Sequence, residues 1–189
     1  ATPGWQNRLS NLLEKHPASS VGECGLDGWI ESPSFEVQNP VFLDQLRIAR
    51  ELDRPITIHC LKAWEPLFAA FEQQSPPNRF LMHSFGGSLE IAKRLIPLGA
   101  YFSFSGYFLQ PKKSKVMEMF RHLPTDRLLV ETDAPDMLPP ETSIAFPLPE
   151  AANHPANLPS IAAAFAESLG LSVSALANLT RENFRRCFP

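Results

Sequence analysis

The sequence lacks the features that would place it in a membrane or in an oxidising compartment. No apolar run approaches the roughly 20 residues that span a bilayer, and the N-terminus does not show the basic-then-apolar order of a secretion signal. The 3 cysteines, Cys24, Cys60 and Cys187, form no CxxC pair, which is typical of a reducing compartment rather than of a disulfide scaffold. We therefore expect a cytoplasmic protein without a membrane partner.

An excess of positive charge is also absent. The formal net charge is −3, so any contact with nucleic acid has to come from a local basic cluster or from bound cations. No glycine-rich phosphate-binding loop follows any predicted strand, which disfavours a doubly wound nucleotide-binding sheet. A length of 189 residues predicts a single domain over residues 1–189.

Short apolar runs alternate with segments of helical period along the whole chain. The predicted strands cover residues 19–24, 55–60, 80–84, 100–105 and 127–133. The predicted helices cover residues 4–16, 40–53, 63–73, 88–98, 111–122, 158–169 and 172–188. Strands separated by helical crossovers predict an α/β fold with a parallel sheet, whose functional loops lie at the carboxyl ends of the strands.

Local patterns predict three finer details. Asn39 followed by Pro40 indicates the start of the second helix. Apolar and hydroxyl residues alternate over 100–105, which predicts a strand with two faces of different chemistry. Glu131 and Asp133 are two residues apart at the end of a strand, so they are predicted to share one face.

Potential metal ligands stand at the ends of four predicted strands. These residues are Glu23, His59, His83 and Asp133. Because the carboxyl ends of parallel strands meet at one edge, we expect the four side chains to converge, as in the active site of an α/β barrel. Imidazole and carboxylate groups suit divalent metals, and a carboxylate can bridge two ions that act on one phosphate ester. The pattern indicates a metal-dependent hydrolase.

Each candidate also has an ordinary structural explanation. A histidine at a strand end can simply be hydrogen-bonded within the fold, Glu23 can form a salt bridge, and Asp133 can cap a turn before Pro135. The repetition at equivalent strand ends is what favours a shared site. Cys24 and Cys60 flank the candidate ligands, but thiolate ligation is the weaker hypothesis because small buried cysteines are common.

Basic residues and a loop histidine are further candidates for substrate contact. Lys62, Arg79 and the lysines within residues 112–115 could meet phosphate groups, although lysines on a helix usually form a solvated face. His154 lies in the loop after the last predicted strand, and loops at that end of a barrel form the wall of the pocket. A substrate contact there is therefore a reasonable interpretation.

Four segments and the C-terminal helix resemble the successive signatures of the TatD-related metal-dependent deoxyribonucleases. The segments are Val21–Asp27 (VGECGLD), 55–60 (PITIHC), 82–87 (MHSFGG) and 130–135 (VETDAP), and the closing helix matches 178–188 (NLTRENFRRCF). The resemblance covers nearly all of the chain. Four signatures in the same order are far more specific than any one of them.

The resemblance implies a TIM-barrel-type metallohydrolase that cleaves phosphodiester bonds in DNA, often from the 3′ end. The site of the family holds two divalent ions, and Mg, Mn and Zn are the expected metals. Carried over to this sequence, Glu23 is the carboxylate that bridges the ions, and His59 and His83 hold one of them. Asp133 helps to hold the other ion and orients the attacking water, so Asp133 and Glu23 are the catalytic candidates.

The same resemblance places polar contacts near the metal ions. Ser84 and Ser105 would lie close to the site. Together with Lys62 and His154 from the sequence pattern, Ser84 completes the set of substrate-binding candidates. The expected partner is DNA.

The sequence departs from the family at its beginning. It contains no His-x-His pair, which the family carries on its first strand, and about five of the eight strand-helix units of a TIM barrel are recognisable. We therefore expect the C-terminal part of a barrel, truncated naturally or artificially, and weak or absent binding of the ion that depends on His-x-His. An open barrel edge is costly, which predicts self-association or a separate N-terminal segment that covers it.

Two other functions remain open. A barrel enzyme of the wider amidohydrolase type, acting on a small molecule, would agree with the absence of His-x-His and with the acidic composition. A barrel fragment without catalytic activity, serving only as an interaction module, would agree with an exposed edge.

Overall fold

The computed structural model describes residues 2–189, in which helices and strands alternate. The strands are β1 (Val21–Asp27), β2 (Ile56–Leu61), β3 (Phe80–Met82), β4 (Ala100–Ser105) and β5 (Leu128–Glu131). The helices are α1 (Trp5–Lys15), α2 (Phe35–Glu51), α3 (Trp64–Gln73), α4 (Leu89–Leu95), α5 (Ser114–Arg121), α6 (Leu158–Ser168) and α7 (Val173–Cys187). The strands form a 5-stranded sheet in the order β1-β2-β3-β4-β5. The predicted α/β fold with a parallel sheet is confirmed.

Contacts within the chain divide it into two compact units. The first comprises Ala1–His83, Leu95–Tyr101 and Cys187–Pro189, and the second comprises Ser84–Arg94 and Phe102–Arg186. The prediction of one domain over residues 1–189 stays a prediction.

In the first unit, α2 and α3 pack against β1 and β2. The fully buried side chains of this core include Leu26, Phe42, Leu46, Ile48, Ile56, Ile58 and Phe80. The ring of Phe71 in α3 joins the helices to the sheet, since its centroid lies 6.3 Å from that of Phe42 and 5.6 Å from that of Phe80. Burying one side chain of this size contributes about 1.5–3 kcal/mol, so this core holds β1 and β2 in a fixed register.

The start of α2 differs from the prediction. The helix begins at Phe35, and Pro40 lies inside it rather than at its first position after Asn39. The carbonyl oxygen of Ser34 accepts hydrogen bonds from two amide groups of the first turn, so the helix forms ahead of the proline. An interior proline costs about 3 kcal/mol. The burial of the apolar face of α2, which includes the fully buried Phe42, offsets that cost.

The second unit is built around phenylalanine. The rings in mutual contact belong to Phe85, Phe102, Phe104, Phe108, Phe120 and Phe165. Phe104 of β4 and Phe165 of α6 are stacked, with ring centroids 4.0 Å apart and an interplanar angle of 3°. Aromatic contacts of this kind add to the free energy of simple burial, so they fix α6 on the sheet.

Both faces of β4 are buried. The hydroxyl face is therefore not a solvent face, and its serines satisfy backbone groups of the same unit. Oγ of Ser103 accepts a hydrogen bond from the amide of Ser84 at 3.0 Å, and Oγ of Ser105 accepts one from the amide of Tyr107 at 3.5 Å. A strand in a covered parallel sheet is expected to be buried on both sides.

β5 ends at Glu131, and the backbone of Asp133 has a φ of 58°. Side chains two residues apart share a face only while the backbone stays extended. The prediction that Glu131 and Asp133 share one face of a strand is therefore wrong. Asp133 belongs to the turn that follows the strand.

Within residues 2–189, no single helix is long and apolar enough to cross a membrane. The helical segments Pro155–Ser168 and Val173–Cys187 reach that length and apolar character only when they are taken together, and a bend of 105° separates them.

Candidate metal centre

Three of the predicted ligands meet in the first unit. Oε1 of Glu23 lies 3.1 Å from Nδ1 of His59 and 3.0 Å from Nε2 of His83. The two imidazole nitrogens are 3.4 Å apart. Glu23, His59 and His83 together are named the ligand cluster below. One ion could contact all three donor atoms of this cluster.

Glu23 reaches the cluster because β1 is irregular at that point. The pairing of β1 with β2 shifts its register between Val21 and Cys24, and such a bulge redirects the side chain that it carries. Gly25 pairs with His59 and has a φ of 149°. A Cβ atom on residue 25 would lie 1.9 Å from the carbonyl oxygen of His59, so only glycine allows the two strands to approach this closely.

The two histidines are placed by neighbouring strands. His59 is part of β2, and His83 directly follows β3, which pairs with β2 in parallel. The amide of His83 donates a hydrogen bond to the carbonyl oxygen of Ile58 at 3.1 Å. This bond extends the strand pairing by one residue, so the backbone of His83 is fixed beside the residue that precedes His59.

The charges of the cluster are mutually stabilising. The hydrogen bonds that Glu23 accepts from His59 and His83 hold the pKa of its carboxyl group far below its usual range. The hydrogen bond to Glu23, with the attraction of its charge, raises the pKa of His59 above its usual value. Glu23 is therefore a carboxylate at neutral pH, which is the form that binds metal ions.

The geometry of the cluster fits a divalent metal ion. Ligand atoms about 2.0–2.2 Å from a tetrahedral Zn²⁺ are separated from one another by about 3.3–3.6 Å. The separation of 3.4 Å between the two imidazole nitrogens lies in that range, and the separations of 3.0 and 3.1 Å from Glu23 are shorter than it, so the Glu23 carboxylate has to move slightly outwards to admit an ion. The side chain of Glu23 is 47% exposed and that of His83 is 9% exposed, so the cluster is embedded on one side and open on the other. Three protein ligands with an open side are typical of catalytic rather than structural metal sites.

Asp27 is a member of the site that the sequence analysis did not assign. Its Oδ2 atom lies 3.4 Å from Nε2 of His59, the ring nitrogen that does not face Glu23. Gln38 fixes the backbone of Asp27, since its side chain accepts from the amide of Asp27 at 2.7 Å and donates to the carbonyl oxygen at 2.9 Å. Side chains two residues apart in a strand point to the same face, and Gly25 lies opposite His59. This spacing could have predicted that Asp27 lies on the same face as the ligand cluster.

The cysteines beside the cluster are not ligands in this arrangement. Burial raises the pKa of the Cys24 thiol to about 12 and that of the Cys60 thiol to about 12. A thiol must lose its proton to bind a metal ion. Among residues 2–189, the group whose donor atoms could hold one ion consists of Glu23, His59 and His83 and contains neither cysteine, in agreement with thiolate ligation as the weaker hypothesis.

Asp133 lies in the second unit, in the turn after β5. Asn153 holds this turn in place, because its side chain donates to the carbonyl oxygen of Thr132 at 2.8 Å and its amide donates to that of Pro135 at 2.7 Å. Asn157 donates in turn to the side chain of Asn153 at 3.1 Å. These buried asparagines were not predicted from the sequence. The roles of Asp133 as metal ligand and catalytic group stay predictions.

The predicted substrate-binding residues have different surroundings. The ammonium group of Lys62 lies 4.0 Å from the ring centroid of Trp29. In the second unit, Ser84 has a φ of 44° and a buried hydroxyl group without a hydrogen-bond partner among residues 2–189. Nδ1 of His154 accepts a hydrogen bond from the amide of Ala156 at 2.9 Å, and its ring stacks on Phe146. Contact of Lys62, Ser84 or His154 with a substrate stays a prediction.

A parallel α/β sheet that brings a glutamate and two histidines together on neighbouring strands is typical of the TIM-barrel-type metal-dependent hydrolases. Comparison with known proteins identifies the family. The family model described as TatD related DNase matches residues 1–189, and the chain belongs to this family. The family resemblance inferred from the sequence signatures is thereby confirmed.

Several relatives carry names from the same family. The chain is 36% identical over 132 residues to the uncharacterized metal-dependent hydrolase YjjV of Escherichia coli, covering 69% of this chain and 51% of the relative. It is 32% identical to the metal-dependent hydrolase YabD of Bacillus subtilis, covering 95% and 69%. It is also 32% identical to the 3′-5′ ssDNA/RNA exonuclease TatD of Pantoea ananatis, covering 96% and 70%.

The fold agrees with these matches. The crystal structure of the Escherichia coli TatD homologue YjjV superposes with a TM-score of 0.86 at 28% identity, covering 100% of this chain and 71% of that chain. The TIM-barrel-type fold class is thereby confirmed. The family model spans residues 1–189, so this match does not confirm the expected truncation. The sequence match to YjjV spans about half the length of that relative.

Proposed function

We propose that the protein is a divalent-metal-dependent hydrolase that cleaves phosphodiester bonds in DNA. The observation that carries the proposal is the convergence of Oε1 of Glu23, Nδ1 of His59 and Nε2 of His83 to within 3.4 Å of one another. The membership of the TatD family and a relative named as a 3′-5′ ssDNA/RNA exonuclease support the same substrate class. Cleavage from the 3′ end is part of the proposal.

Glu23, His59 and His83 would hold one divalent ion, with Mg, Mn or Zn as the candidates. Such an ion supplies positive charge for the phosphoryl oxygens and acidity for an attacking water. This source of positive charge explains how a chain with a net charge of −3 could act on a polyanion.

The residues of the chain have separate tasks in this proposal. Glu23 supplies the negative charge of the ligand cluster and can bridge to a second ion, which Asp133 would help to hold. Asp133 also orients the attacking water, because a carboxylate at neutral pH accepts a proton or a hydrogen bond from it. Asp27 orients His59 from the other side of its ring.

The proposal is tested by metal titration together with DNA cleavage. We expect Mn²⁺ or Zn²⁺ to bind the wild-type chain in calorimetry, and end-labelled DNA to be cleaved in the presence of metal but not with EDTA. Glu23→Gln keeps the size of the side chain but removes its charge. It should weaken metal binding by more than about 100-fold, since changes outside the ligand sphere already cost about 10–100-fold.

The matched control is Glu51→Gln. Glu51 lies on the surface of α2 and forms an ion pair with Arg47 at 2.9 Å. It should bind metal and cleave DNA like the wild type, because exposed ion pairs contribute little. Cleavage of a small ester or amide without cleavage of DNA would instead support a small-molecule hydrolase. A folded chain that binds no metal ion would support an interaction module without catalytic activity.

A further inference from the structure

An exposed tryptophan follows two residues after Asp27, which contacts His59 of the ligand cluster. The side chain of Trp29 is 65% exposed, and that of the neighbouring Ile30 is 45% exposed. They belong to residues 27–30, which begin with the last residue of β1 and are named the 27–30 turn below. Single exposed apolar residues are common on protein surfaces, so exposure alone says little about Trp29. Trp29 differs from other exposed apolar residues because its backbone is hydrogen-bonded to Asp27, which contacts His59.

The backbone of the 27–30 turn is fixed at three points. The amide of Gly28 donates to the carbonyl oxygen of Leu61 at 2.7 Å, and the amide of Trp29 donates to Oδ1 of Asp27 at 2.7 Å. A Cβ atom on residue 28 would lie 2.6 Å from the carbonyl oxygen of Lys62. The turn is therefore packed directly against the end of β2, and Trp29 is presented from a rigid support.

A positive charge lies against the indole ring. The ammonium group of Lys62 is 4.0 Å from the ring centroid of Trp29, a cation–π distance. Lys62 has a φ of 50°, which is uncommon for a residue with a side chain and turns the chain sharply at the end of β2. An aromatic face and a flexible cation thus stand together at the end of two neighbouring strands.

The same turn forms one wall of the ligand cluster. Asp27 accepts a hydrogen bond from the amide of Trp29 through Oδ1, and its Oδ2 atom lies 3.4 Å from Nε2 of His59. Ile30 lines a cavity of about 420 Å³ together with Glu23 and His59. A molecule that occupies this cavity with its reacting group at the ligand cluster therefore meets the 27–30 turn at Asp27 and Ile30.

We propose that Trp29 is a stacking surface for an unpaired nucleobase next to the scissile phosphate, and that Lys62 contacts a neighbouring phosphate; this inference rests on the proposed function. Bases stack on exposed aromatic rings without regard to sequence, and a basic residue beside the ring follows the backbone. In a duplex both faces of each base are covered by neighbouring bases. Stacking on Trp29 therefore selects single strands or frayed ends.

The test measures binding without metal, so that cleavage plays no part. Fluorescein-labelled oligothymidine and a matching duplex are titrated with the chain in EDTA, and binding is followed by fluorescence anisotropy. We expect Trp29→Ala to weaken binding of the single strand about 5- to 100-fold, the range measured for loss of one stacked base. Binding of the duplex should change less than about twofold.

Two further variants separate stacking from folding and from charge. Trp29→Phe keeps an aromatic face and should restore most of the affinity for oligothymidine, which a purely structural role would not predict. Lys62→Ala should reduce the dependence of affinity on salt by about one phosphate contact, whereas Trp29→Ala should leave that dependence unchanged. Val37→Ala, at an exposed apolar residue of α2, is the control and should bind like the wild type.

The outcomes distinguish this inference from the proposed function. If the wild type cleaves DNA with metal but Trp29→Ala binds and cleaves oligothymidine equally well, the stacking role is overturned and the proposed function stands. Equal losses for single strand and duplex would also overturn it. If the wild type neither binds nor cleaves any nucleic acid, the proposed function itself fails.

Discussion

Nε2 of His59 lies 3.4 Å from Oδ2 of Asp27, while Nδ1 of the same ring faces Glu23. The Nε2 atom is buried and is not aligned for a hydrogen bond in this arrangement, so Asp27 acts on it through its charge. In this structure Nδ1 donates to Glu23; when a cation takes the place of that proton, a carboxylate beside Nε2 favours the tautomer with the proton on Nε2, which leaves the lone pair of Nδ1 for the cation. Asp27 thereby orients a ligand without being one.

Asp27→Asn should therefore lower the affinity for Mn²⁺ or Zn²⁺ by about 10- to 100-fold. The asparagine oxygen can still accept the hydrogen bond from the amide of Trp29, which the wild type forms at 2.7 Å, so the free energy of unfolding should change little. Calorimetry and urea denaturation measure the two effects. Asp53→Asn, the same substitution at an 86% exposed side chain, should leave both values unchanged, and equal metal affinity in the two variants would refute the role of Asp27.

Gly25→Ala should destabilise the chain by more than about 4 kcal/mol or prevent folding, because buried backbone clashes belong to the most damaging class of substitutions. The new methyl group would lie 1.9 Å from the carbonyl oxygen of His59. Gly170→Ala is the matched control, since Gly170 has a φ of 68° but a Cβ added there would meet no atom within 4 Å. That control should lose only about 1–2 kcal/mol from backbone strain. Urea denaturation of both variants decides the matter, and similar losses would contradict the close approach of β1 and β2.

Asn153→Ala should lower both stability and hydrolysis, because it leaves the carbonyl oxygen of Thr132 without its 2.8 Å hydrogen bond beside Asp133. Asn183→Ala removes comparable 2.8 Å bonds to the carbonyl oxygens of Thr125 and Leu128, at the start of β5. Each variant should lose about 1–3 kcal/mol in chemical denaturation. At a temperature where both remain folded, only Asn153→Ala should show reduced DNA cleavage. Equal activity of the two variants would argue against a role of the Asp133 turn.

Phe104→Ala should cost about 3–5 kcal/mol in guanidinium denaturation, the range for removing a buried aromatic ring. The loss includes the stacked contact with Phe165, whose ring centroid lies 4.0 Å away. Leu12→Ala, at a 55% exposed position of α1, should change stability by less than about 0.5 kcal/mol. A small loss for Phe104→Ala would show that the aromatic core of the second unit can repack.

The parts of the site that could be predicted from the sequence are those fixed by strand ends. His59 and His83 each follow a short apolar run, and parallel strands bring such positions to one edge whatever the details of the loops. Glu23 joins them from inside β1, at the point where the pairing of that strand is irregular. The family signatures point to the same residues. Asp27 was missed because its contact with His59 depends on the last residue of β1, where hydrogen bonds with Gln38 and with the amide of Trp29 decide the geometry.

Other differences arose where tertiary packing outweighs local rules. Pro40 follows Asn39 in the pattern of a helix start, yet burial of Phe42 and the earlier turn at Ser34 place it inside α2. Asp133 has a positive φ that no pattern of apolar residues encodes, so the end of the strand was predicted two residues too late.

The absence of a side chain at Gly25 ties the site to the sheet itself. Since the main chain of residue 25 rests directly on that of His59, the gap between two of the donors is set by the pairing of strands and not by mobile loops. The spacing of these two backbone positions should therefore persist on heating until the sheet unfolds. A change of preferred metal is accordingly expected from an exchange of donor atoms on the same backbone frame.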